Sequence, residues 1–583
     1  MVLGSALKSF LRSGRRNSDA AHIESEMQRA AALHASGDIK GAIKSLQGIS
    51  SRSPLHPGPH YLIGLWSGQS GDYGTAARHL DEAVRLAPQD ADVYLARGNV
   101  YRALGDVAAA EQCYRTVVTC APHSAAGHYN LGVLANGAGA VGEALRHFER
   151  ACALEPHRAE VRREQVLCLV QLARFDEAEA AAEAAVQAAP SSASSWLCKA
   201  FVYQKTHRPQ LALECYERSR TLGTPDHELH NNMGIVLQEL GRVDEAMEAY
   251  RRSLGLKPGF QLARFHLGLA QLLTQRYDTG WDDYELRLLS EDRPRAARAS
   301  ARWQGEPLAG RSLLVEGEQG LGDEIMFASC LPDVVRDAAR CVVSCSPKLE
   351  RLFRRSFPTA AVKSVPAGQA AADEAVDFHV PSGSLPRHLR RSIAEFPRHQ
   401  GYLRADEARI HYWKQRLNGL GPGLKVGISW QGGTYKTRGP LRSVPLEQWL
   451  PVLRTADVRF VSLQYGAVGG AAAEREVMRD HRIEHWPEAI ENYDETAALV
   501  CALDLTISVC TAIIHLAGAL GRPVWIMAPL GPEWRYGHTE DTMPWYPSAR
   551  LFRQTEFGTW APVLDSIAGR LSQAASAGGG WSQ

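Results

Sequence analysis

Along the first half of the chain, apolar positions recur with a helical period and small residues recur with a longer one. Ala42, Ala76, Ala110, Ala144, Ala178, Ala212 and Ala246 follow one another at 34-residue intervals. So do Gly64, Gly98 and Gly132 and, two periods later, Gly234 and Gly268. Prolines close the units at Pro54, Pro88, Pro122, Pro156, Pro190, Pro225 and Pro258. This spacing predicts seven to eight helix-turn-helix units over residues 20–285, stacked as a right-handed superhelix. Small residues let the paired helices approach closely, and proline ends the second of each pair. Val166 and Ala200 stand where two units lack the glycine, so looser or differently angled packing is expected there.

Beyond Tyr277 the period fades. Trp281, Tyr284 and Leu288 continue one amphipathic helix that would cap the array, and residues 286–310 read as a charged linker anchored by Trp303 and Pro307. From Arg311 short apolar runs alternate with helical patterns: SLLVEG, CVVSC, KVGISW, RFVSLQ, DLTISV and PVWIMAP read as strands. The stretch around Asp377, Phe378 and His379 reads as loop. Two βαβ blocks, residues 311–420 and 421–572, imply two doubly wound domains facing one another across a cleft. Residues 1–19 are a basic, mildly amphipathic segment, and residues 573–583 a tail.

Composition narrows the function classes. With 65 Lys and Arg against 64 Asp and Glu, no global field recruits nucleic acid or membrane. The 11 cysteines include no CxxC pair, so neither a zinc site nor a disulfide framework is indicated and a reducing, cytoplasmic setting is expected. No stretch is apolar enough to span a bilayer. Self-association of the repeats into a homo-oligomer is compatible with everything here.

The sharpest chemistry lies in RSLLVEGEQGLGDEIMFASC. A strand gives way to Gly317, Gly320 and Gly322, then to Asp323 and Glu324 at the head of a helix. A carboxylate at a sheet edge suits a general base. An Asp in a first helical turn equally suits a cap that does no chemistry. In the second block, Thr511 begins a helix directly after a strand, with His515 one turn on; such a junction offers N–H groups to an anion. Lys436, Arg438 and Arg442 lie in a glycine-containing loop suited to phosphate oxygens, or to a solvated surface.

The 34-residue unit resembles the tetratricopeptide repeat (TPR). GEQGLGDEIMFASCLP, GISWQGG, RSVPLEQWLPVL, RFVSLQYG, ISVCTAIIHLAGALGRPVWIM and PWYPSARLFRQ together resemble the heptosyltransferase-related glycosyltransferases that bacteria fuse behind such repeats. The resemblance implies an all-α TPR superhelix followed by an α/β GT-B transferase of two Rossmann-like domains. It implies Asp323 as the base, and Ser429, Gln431, Lys436, Arg438, Arg442, Gln464, Thr511 and His515 on the donor side. It implies no metal, and a CMP-, UDP- or GDP-linked sugar as co-substrate. Asn130 and Asn232 match the groove asparagines of the related O-GlcNAc transferases, but Leu62, Ala96, Glu164 and Cys198 interrupt any ladder. The family carries Asp where this chain has Cys510. The implied activity is transfer of a sugar to Ser or Thr of a protein captured by the repeats, flagellin being the first acceptor to consider. The alternatives are a repeat scaffold with a degenerate transferase half, and transfer to lipopolysaccharide.

Overall fold

The computed structural model describes residues 18–224, 226–289, 298–318, 320–366, 369, 375–433, 438–466 and 472–577. Lys436 and most of the basic N-terminal segment lie outside these residues. The chain divides into two compact units, Met1–Thr224 and Pro225–Gln583.

The first unit is built of helical hairpins, from Ser18–Ala35 with Ile39–Arg52 to Ala193–Lys205 with Pro209–Leu222. Close approach accounts for the periodic glycines. A Cβ added at Gly98 would stand 2.6 Å from the Tyr114 ring, and one at Gly132 would stand 2.7 Å from Phe148. The expected looseness is absent at Ala200 but present at Val166, where the helices Ala159–Gln171 and Phe175–Ala188 approach one another less closely than the paired helices of the neighbouring hairpins. Here the second helix carries Ala182 where other units carry the large residue, so large and small change places and both are fully buried. The turns keep the period as well: Gly37, Gly71, Gly105 and Gly139 all have positive φ, and Ala173 and His207 take the same left-handed conformation in the units that follow. Asp38, Asp72 and Asp106, next in line, each accept a hydrogen bond from an N–H of the helix they cap.

The second unit opens with two more hairpins, His227–Glu239 with Val243–Leu256 and Gln261–Leu273 with Tyr277–Tyr284. An α/β region follows, with two sheets. The first contains β1 (Ala301–Arg302), β2 (Ser312–Glu316), β3 (Arg340–Cys345), β4 (Ala361–Ser364) and β5 (Phe378–Pro381), all parallel, in the order β1-β5-β2-β3-β4. The second contains β6 (Leu424–Ser429), β7 (Val458–Ser462), β8 (Glu484–His485), β9 (Leu505–Val509), β10 (Val524–Ala528), β11 (Thr542–Met543) and β12 (Tyr546–Arg553), in the order β11-β12-β10-β9-β6-β7-β8. Only β11 runs antiparallel, against β12. Strands buried on both faces, such as β9, form the core of this sheet with Trp430, Trp449 and the helix Ala561–Ser576.

Three expectations are corrected. The loop expected at Phe378 is the strand β5, which pairs with β2 from Leu313↔Phe378 to Glu316↔Pro381. The helix Glu407–Asn418, expected in the first block, joins the second: Trp413 Nε1 and Arg409 both bond Glu495 on the helix Tyr493–Ala502. The tail begins later than residue 573, because the last helix runs to Ser576. Among the described residues no helix is long and apolar enough to cross a membrane.

Candidate active site

Each sheet reverses its winding once, between β2 and β5 in the first and between β6 and β9 in the second. Open α/β sheets bind ligands beyond the carboxyl ends of their strands at such switch points. Here both crevices open into one cavity of about 1070 Å³. Gly320, Gly322 and Asp323 enter it from the turn after β2, Gln431 and Arg442 from beyond β6, and Cys510 and Thr511 from the end of β9. Phe265, Leu269, Tyr284 and Leu288, from the last repeat hairpin and the turn after it, form a further wall.

The two acids of the glycine turn separate. Asp323 faces the cavity: Oδ1 accepts from Arg535 Nη2 at 2.6 Å, and Oδ2 accepts the Gly320 N–H at 3.3 Å. Capping and a place in the cavity therefore coexist in one side chain. Glu324 points back to the first sheet, where it accepts the Ser346 N–H at 2.8 Å. Burial pushes its carboxyl up to about 7. The glycines permit close approach. Gly317 lies against the Ser344 carbonyl, outside the cavity, and a Cβ on Gly322 would stand 2.9 Å from His515 Cδ2.

Several expected donor residues turn out to be occupied. Gln464 Oε1 accepts from Ser429 Oγ, the Trp430 N–H and the Gln431 N–H, while its Nε2 donates to the Gln431 and Tyr465 carbonyls. Its amide is used in clamping the loop after β6. His515 is buried with Nδ1 3.1 Å from the Tyr546 hydroxyl and Nε2 3.4 Å from that of Tyr536, and burial lowers its pKa well below the usual value, so the ring is neutral. Both ring nitrogens lie near tyrosine hydroxyls, and the ring lines the cavity beneath Gly322. Arg438 does not reach the cavity: it donates to the Gly531 carbonyl and pairs with Glu239 of the repeat helix His227–Glu239. Thr511 caps the helix Ala512–Ala519, its Oγ1 accepting the Ile513 N–H at 3.3 Å. Asn130 is buried within the first unit, and Asn232 accepts a hydrogen bond from Asn231.

Sequence reasoning missed the loop at residues 529–537. Its Glu533 takes Arg442 at 2.9 Å and also pairs with Arg535, so Asp323, Arg535, Glu533 and Arg442 form one row of alternating charge. The signal was present as EWRY, a run of charged and aromatic residues following the strand PVWIMAP. Cys510 is buried beside this row, its thiol pushed up to about 11 by burial.

Family profiles described as tetratricopeptide repeat match residues 68–125, 135–199, 191–258 and 231–297. Among solved structures, a tetratricopeptide repeat protein from Parabacteroides merdae matches at 16% identity with a TM-score of 0.36, over 43% of this chain and 98% of that one. The human protein O-mannosyl-transferase TMTC1 is 28% identical over 33% of this chain, which spans 22% of that protein. Protein FlbA of Caulobacter vibrioides is 30% identical over 496 residues, covering 80% of this chain and 82% of that one. With a match of that length across both the repeats and the α/β region, the chain belongs to the family of protein FlbA.

Proposed function

We propose that this chain is a GT-B glycosyltransferase that moves a sugar from a nucleotide-sugar donor to a Ser or Thr hydroxyl of a protein held by its repeats. The observation that carries the reading is the meeting of Asp323 with Arg442 and the Thr511 helix start in one cavity at two sheet switch points. A cavity of this volume accommodates a donor together with an acceptor side chain. Asp323 Oδ1 or Oδ2 takes the proton of the acceptor hydroxyl as its oxygen attacks the anomeric carbon. The bond from that carbon to the donor phosphate breaks, and the leaving phosphate is met by Arg442 and the N–H groups at the Thr511 helix start. Arg535 orients the Asp323 carboxylate.

Flagellin is the first acceptor to test. Co-expression with the chain should add mass to flagellin, and Asp323→Asn should remove the added mass; flagellin of unaltered mass beside the wild-type chain counts against the transferase reading as proposed, acceptor included.

One observation favours a second reading, a repeat scaffold with an inactive transferase half. Two guanidinium groups of the cavity are already paired with its own acids, Arg442 with Glu533 and Arg535 with Asp323. Calorimetric titration with CMP, UDP and GDP separates the two: binding of any one supports the transferase, and heat-silent titrations with all three support the scaffold.

A further inference from the structure

The loop at residues 529–537 carries Glu533 and Arg535 into the cavity, and beside its partners in the α/β region, among them Phe327, Trp545 and Arg553, it packs on the repeats at two places. At one end, Gly531 lies so close to the C-terminus of the helix His227–Glu239 that an added Cβ would stand 2.4 Å from the Gln238 carbonyl oxygen and 2.7 Å from Glu239 Cα. Arg438 fastens this end, donating to the Gly531 carbonyl at 3.2 Å while its Nε lies 3.5 Å from Glu239 Oε1. Further along, Trp534 sits edge-on to Trp281 at 5.3 Å and to Tyr284 at 5.4 Å, both on the helix Tyr277–Tyr284. Trp281 is fully buried and is itself fixed, its Nε1 donating to the Arg390 carbonyl at 2.8 Å. The residue after Trp534 is Arg535, which holds Asp323.

We infer that the last two repeat hairpins are a working part of the catalytic cavity: through Gly531, Arg438, Trp281 and Tyr284 they set the position of Arg535 and Glu533 against Asp323 and Arg442. These are positioning residues, acting through the loop and not on the substrate. The inference rests on the transferase reading above. A shift of the loop by the fraction of an ångström that a Cβ at Gly531 demands would move a guanidinium that now stands 2.6 Å from its carboxylate. Misplacement of about 1 Å at a reacting centre costs on the order of 10²-fold in rate.

The test uses the full chain co-expressed with flagellin, with intact-mass spectrometry giving the rate of mass addition. Gly531→Ala and Trp281→Ala are each expected to lower that rate on the order of 10²-fold at saturating acceptor, with the half-saturating acceptor level unchanged. Trp281→Phe, which keeps the aromatic edge, should recover most of the activity. Amide hydrogen exchange should quicken at residues 529–537 in the two impaired variants and stay unchanged in the first unit. Should Gly531→Ala fail to fold, Arg438→Met adds no atom at the packed glycine and carries the same expectation. Variants that modify flagellin at the wild-type rate would overturn the inference while leaving the transferase reading intact. A wild-type chain that adds no mass would instead count against the transferase reading.

Discussion

Asp323 illustrates how much one side chain can serve at once. One carboxylate oxygen closes the first turn of its helix through the Gly320 N–H and the other receives Arg535, so one orienting bond comes from its own turn and the other from the loop at residues 529–537. Asp323→Asn keeps the shape and the turn but loses the base, and is expected to slow transfer by about 10² to 10⁴-fold, measured as mass added to the acceptor per unit time. Glu324 gives a separable effect. Its carboxyl stands at about 7 against an ordinary 4.5 because burial disfavours the charge. The unfolded chain therefore releases this proton first as pH rises. The cost to the native state begins near pH 4.5, grows to about pH 7 and is complete above it, amounting to about 3 kcal/mol at most. Glu324→Gln should accordingly melt higher than the wild type at pH 8, and the two curves should converge below pH 4.5. At this scale the glycine turn and Asp323 were legible, because a strand, three glycines and an acid lie within a dozen consecutive residues. Arg535 and Glu533 were not, since Asp323 lies 212 positions from Arg535 and Arg442 lies 91 positions from Glu533, and only the fold brings these pairs together. Gln464 and His515 do line the cavity, but their pattern could not reveal that neighbouring backbone and tyrosines already bond them.

The repeat helices were legible because each one repeats the same packing problem. The glycine of one helix meets the ring or branched chain of the next, and where the glycine is lost, as at Val166, the facing residue shrinks to Ala182. Gly234→Ala sets two effects against each other. Alanine gains roughly 0.5–1 kcal/mol over glycine inside a helix, but the new Cβ would stand 2.4 Å from the buried Tyr250 ring, and overpacking costs about 1–3 kcal/mol. A net loss of stability is expected by thermal or urea melting. Gly48→Ala, in the helix Ile39–Arg52 with nothing within 4 Å of the added atom, should instead stabilise the chain by roughly 0.5–1 kcal/mol. Strand β5 was not legible for the opposite reason. Four residues ending in proline carry no period of their own, and the strand exists because β1 and β2 pair with it from either side.

At the scale of the whole molecule, the order of repeats and then alternating strands and helices was readable from one sequence, since each half has its own period. The position of the helix Glu407–Asn418 and the grip of the last repeats on the loop at residues 529–537 were not, because both depend on contacts between elements far apart in the chain. These contacts place repeat, glycine turn and charged loop around a single cavity, and that convergence motivates the assignment of a transferase. The most direct measurement is intact-mass spectrometry of flagellin from cells carrying the wild-type chain, the Asp323→Asn chain or neither. The expected result is a discrete mass increment of one or more sugar residues with the wild type alone. The same increment with Asp323→Asn, or none with the wild type, would contradict it.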